Sequence, residues 1–86
     1  MVLHDHSYPL GHIVTARLWQ DLGPSDLHFT ISDTGWAKSA WGNLFGQWIE
    51  GAAVFIYDTR GKFNAAEIPP LLEKYPITTF CCAPTL

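Results

Sequence analysis

His4, Asp5 and His6 stand within three residues of one another and His12 follows, so the start of the chain holds nitrogen and carboxylate donors of the kind zinc or a transition ion takes. No second ligand cluster backs them at a defined spacing, and they read more simply as a solvent-facing loop ahead of a helix. Cys81 and Cys82 are neighbours in an apolar, strand-like run. Adjacent strand side chains point to opposite faces, which opposes a relaxed disulfide, so both are expected as buried free thiols. A metal or thiol protein built on His4, His6, His12 and Cys81 is therefore the weakest of three functional readings. The chain has no Gly-x-Ser-x-Gly elbow, no Gly-x-Gly-x-x-Gly and no Gly-x-x-x-x-Gly-Lys loop. The remaining place for chemistry is the stretch from Asp33 to Lys38, a tight turn rich in polar groups with a tryptophan at its centre.

The elements that would position this turn can be read from residue spacing. Leu27 to Ser32 is aromatic and β-branched and reads as a strand, which Asp33-Thr34-Gly35 ends. Ala37, Ala40, Trp41, Leu44, Phe45, Trp48 and Ile49 recur at three- and four-residue intervals, the period of a helix with one broad apolar face. Gly51 stops it. Ala52 to Tyr57 is a continuous apolar run, short enough for a strand buried on both faces. A strand–helix–strand unit joins parallel strands by a right-handed crossover, and the Asp33–Lys38 turn then lies at a strand's carboxyl end, where open α/β sheets bind ligands.

Around this unit, a helix is expected after Ser7 as its cap, with Pro9 in the first turn and Leu10, Ile13, Val14 and Leu18 on one face. Gly23-Pro24 ends it. Asp58 to Lys62 forms a polar loop at the second strand's carboxyl end. Asn64 and Glu67 have the layout of a capping box, yet Pro69-Pro70 requires the following helix to kink or to begin near Pro69. Pro76 closes that helix, and Ile77 to Cys82 reads as a third strand. The order is helix, strand, helix, strand, helix, strand. The fold class is α/β with a small parallel sheet, part of a larger α/β domain.

Composition points the same way. A chain of 86 residues buries only about 60–65% of its unfolded surface, yet 48% of these residues are hydrophobic and four Trp, five Phe and three Tyr are among them. That excess is surface for a partner, either the rest of a larger domain or another subunit. The net charge of −3 and five scattered Lys and Arg argue against nucleic acid or an anionic membrane. No apolar run reaches the ~20 residues of a membrane span, and the first residues lack the basic start of a signal peptide, so a cytoplasmic location is expected.

The runs HDHSYPLGHIVTARLW, DLHFTISDTGWAKSAWGNLFGQWIEGAAVFIYD and EKYPITTFCCAPT resemble the adenylate-forming (AMP-binding) acyl-CoA synthetases, in the acetyl- and medium-chain branch. Ser32-Asp33-Thr34-Gly35-Trp36 is similar to that branch's S/A-D-x-G-W turn, and the match covers residues 1–86 as part of the large N-terminal domain. The resemblance implies a ligase that makes an acyl adenylate from a carboxylate and ATP, with magnesium, and passes the acyl group to coenzyme A. It implies that Trp36 is an aromatic wall of the acyl pocket and that Ala37 and Lys38 are the next two pocket positions. Acetyl-specific relatives carry a branched residue and a threonine there, so the small Ala37 implies a deeper pocket and a longer carboxylate. Arg60 and Lys62 fall in a loop that approaches coenzyme A in relatives.

The family's phosphate-wrapping loop ending in Pro-Lys, its Tyr-Gly-x-Thr-Glu motif, its ribose-holding Asp and its C-terminal domain with the catalytic lysine are not in this sequence. The expectation is an internal piece, inactive alone, that carries no catalytic residue and no metal ligand and binds neither ATP nor magnesium tightly. Its partners would be the carboxylate, coenzyme A and the remainder of the synthetase. The rival reading is a non-catalytic binding or assembly module that docks through its exposed aromatics.

Overall fold

A computed structural model describes residues 2–86. Three strands form one parallel sheet: β1, Leu27–Thr30, lies between β2, Ala53–Val54, and β3, Thr79–Cys81. Leu27 pairs with Ala53 on one side, and Phe29 with Phe80 on the other. The α/β reading and the parallel sheet therefore hold, but every strand is shorter than its apolar run.

β1 alternates sharply. Phe29 packs with Phe55 and Phe80 at ring distances of 5.0 and 5.6 Å, and Phe55 continues to Tyr75 at 4.9 Å. His28 and Thr30 carry the polar network described below, which reaches the second helix. β1 is the interior strand of the molecule, with His28, Phe29 and Thr30 all buried.

The first helix runs as a 3-10 turn over Tyr8–His12 and a π-helical stretch over Thr15–Trp19. Pro9 sits in its first turn as expected, but Ser7 makes no side-chain cap. Asp5 holds Ser7 just ahead of the helix, accepting from the Ser7 amide at 2.8 Å and from the Ser7 hydroxyl. Leu10, Val14 and Leu18 share a face as their spacing predicts, and that face is open to solvent at 62–76% exposure. The residue buried on this helix is Ala16.

The second helix comprises Ala37–Ala40, a π-helical turn over Trp41–Phe45, and Gly46–Ile49. Gly51, at φ +74°, ends it, because a left-handed residue that glycine alone adopts freely reverses the chain there. Its buried residues are Gly42, Gly46 and Gln47, whereas Trp48 from the apolar stripe is 66% exposed. The helix is thus turned away from the side its hydrophobic period predicts. Gly46 explains the docking: a Cβ there would stand 2.6 Å from the Trp41 carbonyl oxygen and 3.3 Å from Ala16 Cβ. Only glycine lets the π turn and the first helix meet at that point.

β2 departs furthest from expectation. Only Ala53 and Val54 pair in the ladder, although the Phe55 amide still donates to the His28 carbonyl at 2.8 Å. Ile56 is 77% exposed, so the run is an edge strand and is not buried on both faces. The third helix has a 3-10 turn at Ala65–Glu67 followed by Ile68–Lys74, with the two prolines accepted in the first turn of the α-helical part. Asn64 caps it, accepting from the Ala66 amide at 3.1 Å. The other half of the capping box does not form, because Glu67 accepts from the Tyr57 hydroxyl instead. Tyr75 is extended, as the residue before Pro76 must be. Cys81 and Cys82 are free but half-buried, less enclosed than expected at the end of an edge strand.

Candidate functional site

At the carboxyl edge of the sheet a cleft of about 800 Å³ opens between the Asp33–Lys38 turn and the loop that follows β2. Phe29, Phe55, Ile56, Phe63 and Ile68 make its apolar floor and far wall, and Trp36, Lys38, Ser39 and Asn43 make the near wall. The turn is held by the side chain and the carbonyl of Asp33. Asp33 Oδ1 accepts from the Gly35 amide at 2.8 Å, and the Asp33 carbonyl accepts from the Trp36 amide at 3.0 Å. This closes the chain tightly enough to start a helix at Ala37.

Among the five residues that the sequence places at the site, the structure gathers two around the cleft. Trp36 stands at its mouth, 70% exposed, and Lys38 is half-buried one residue into the helix. Ala37 is exposed and does not belong to the lining. Arg60 and Lys62 are also exposed and lie outside the lining, although their neighbours Thr59 and Phe63 belong to it. Arg60 approaches Asp58 at 3.8 Å, a solvent-exposed pair on the same loop. A hydrogen bond from the Tyr57 hydroxyl to Glu67 ties this loop to the third helix, and that bond holds the phenol above its ordinary pKa.

Sequence reasoning missed a second polar centre under the second helix. His28 is 1% and Gln47 0% exposed. His28 Nδ1 lies 2.6 Å from Thr79 Oγ1, and Nε2 lies 2.7 Å from Thr30 Oγ1, whose hydroxyl donates to the Gly42 carbonyl at 2.6 Å. Since the Thr30 proton is committed to Gly42, Nε2 must donate to Thr30, and Nδ1 then accepts from Thr79. The Gly42 carbonyl also accepts from Gln47 Nε2, which further contacts Gln20 Oε1 at 3.3 Å. Burial holds the His28 pKa below the ordinary histidine value, so the ring is neutral at pH 7. The network is structural in its placement, since it joins β1, β3 and the second helix. Its signal in the sequence is the alternation of His28 and Thr30 with Phe29, and of Thr79 and Cys81 with Phe80.

His4, Tyr8, His12 and Trp41 form an aromatic ladder, ending in a parallel stack of His12 on Trp41 at 5.2 Å. His12 thus lies against a ring, and among the described residues no three His, Cys, Asp or Glu side chains converge as metal ligands. No described helix is long and apolar enough to cross a membrane.

No family model matches the chain. Individual proteins do. It is 51% identical over 87 aligned residues to the mitochondrial acyl-coenzyme A synthetase ACSM3 of Homo sapiens, and 48% identical over 86 to that of Rattus norvegicus. It is 42% identical over 87 residues to the mitochondrial acyl-coenzyme A synthetase ACSM5 of Mus musculus. These alignments take in 99–100% of this chain and 15% of each relative's length.

Proposed function

We propose that this chain, homologous along its whole length to acyl-coenzyme A synthetases, supplies one wall of the acyl-binding site of such a ligase. The observation that carries this reading is the apolar cleft at the carboxyl edge of the parallel sheet, with Trp36 at its mouth and Lys38 in its wall. Its volume suits a medium-length carboxylate, within the roughly 300–1,000 Å³ usual for small-molecule sites. Ala37, exposed beside the cleft, joins the wall when the rest of the domain packs against this edge. Arg60 and Lys62, exposed on the neighbouring loop, offer cations to the phosphates of coenzyme A.

The whole enzyme activates a carboxylate with ATP and magnesium. The sequence holds no glycine-rich phosphate loop of the Gly-x-x-x-x-Gly-Lys kind to cradle that nucleotide. The chain's own part is to bind and orient the acyl group, to exclude water from its apolar floor, and to dock on the remainder of the synthetase through the open face of the first helix. Its relatives are named mitochondrial, and a mitochondrial location is proposed in place of the cytoplasmic one expected from its first residues.

Carboxylate-dependent exchange of pyrophosphate into ATP tests this, measured on the 86-residue chain and on the protein encoded by the extended reading frame. No exchange is expected from the first, and octanoate-dependent exchange from the second. An extended protein inert toward every carboxylate would overturn the reading.

A further inference from the structure

Lys38 is the single cation among the residues that line the cleft, and among the described residues it takes part in no ion pair. A Cβ on Gly42 would stand 3.6 Å from Lys38 Cγ, an ordinary contact distance, so the stem runs along the helix past that glycine. An ammonium on a stem packed against the helix, above an aromatic floor, keeps its charge while its methylenes cover apolar surface.

A second feature lies on the same wall. Asn43 lines the cleft one helical turn beyond Ser39, and its Oδ1 is buried without a hydrogen-bond partner. That oxygen is an acceptor and calls for a donor, so it is no partner for an anion. Lys38, Ser39 and Asn43 together make a polar strip facing Phe29, Phe55 and Phe63 across the cleft. One wall is cationic and hydrogen-bonding, and the other is aromatic. Asp33, also at the cleft, is engaged by the Gly35 amide.

We propose that Lys38 is the anion-recognising residue of this cleft, pairing with the carboxylate of an amphipathic acid whose hydrocarbon tail lies on Phe29, Phe55 and Phe63. This rests on the acyl-binding reading and adds to it a headgroup contact and an orientation. It makes Lys38 a positioning residue, which discriminates charged from uncharged amphiphiles of equal length. Burial pushes the Cys81 thiol up, and the Lys38 charge opposes that shift.

The test is direct binding to the 86-residue chain, followed by chemical-shift changes at the Trp36 indole N–H during titration with octanoate, octanol and octylammonium. Octanoate is expected to bind about tenfold more tightly than octanol, the size of one charge-assisted contact partly open to water, and octylammonium not to bind measurably. Lys38→Met keeps the stem and removes the charge. It should bring octanoate down to the octanol affinity while leaving octanol unchanged, and Lys38→Arg should restore the preference. Equal affinities for octanoate and octanol in the unaltered chain would overturn the proposal, as would an octanoate preference that survives Lys38→Met, or no binding at all. None of these outcomes bears on pyrophosphate exchange by the extended protein, so the two readings fail separately.

Discussion

His28 carries the clearest consequence at the scale of single residues. Its ring is buried, neutral and committed at both nitrogens, with a folded pKa depressed mainly by desolvation. In the unfolded chain it titrates near the usual value of about 6.5. Below that pH the unfolded state takes up a proton that the folded state refuses, so stability is intact above about pH 6.5 and declines as the pH falls through and below it. Urea unfolding between pH 8 and pH 5 should show this loss. His28→Gln, neutral throughout, should be less stable at pH 8 and flatten the acid slope. The slope that remains belongs partly to His12, whose pKa is also lowered by burial. An unchanged slope in His28→Gln would assign the acid sensitivity elsewhere.

Among the elements, the second helix shows how far the sequence could be read. Its existence, its start after the Asp33 turn and its stop at Gly51 follow from local chemistry and hold. Its orientation does not follow. The period of Ala37, Trp41, Leu44 and Trp48 marks the side with the most apolar surface, but Gly42 and Gly46 allow the closest approach of neighbouring backbone, and the helix docks there. The same holds for β2, where a continuous apolar run predicts burial on both faces and the chain supplies covering for less than that. Hydrophobic periodicity reports what a segment can bury, and which surface is actually covered depends on what packs against it. Gly46→Ala tests the docking directly. Forcing a methyl against the Trp41 carbonyl and Ala16 should destabilise the chain by about 1–3 kcal/mol in urea unfolding. Gly11→Ala, with nothing within 4 Å of the added methyl, should be neutral or mildly stabilising. Equal effects at the two glycines would mean that Gly46 has no special part in the packing.

Taken whole, the molecule is more open than its size requires. A compact monomer of 9.6 kDa exposes about 5,100 Å², and this chain exposes 6209 Å². Its radius of gyration of 13.3 Å likewise exceeds the roughly 12 Å of a compact domain of this length. The surplus is apolar in character: Leu10, Val14, Leu18, Trp19, Trp36, Trp48 and Ile56 are all more than 60% exposed, while the buried hydrophobic residues are Ala16, Leu22, Phe29, Ala52 and Ile68. The relatives are nearly seven times longer, since the aligned segment is 15% of their length. Amide hydrogen exchange should resolve this by element, because local opening is easiest where few apolar contacts hold the backbone. In the 86-residue chain the slowest amides should be those that join the strands, Phe55 to His28 and Ile31 to Cys81, with the first helix exchanging much faster. In the protein from the extended reading frame the first helix should gain the most protection, since Leu10, Val14 and Leu18 would then be covered. First-helix exchange that is equally slow in both proteins would show that this face needs no cover, and the docking role proposed for it would fall.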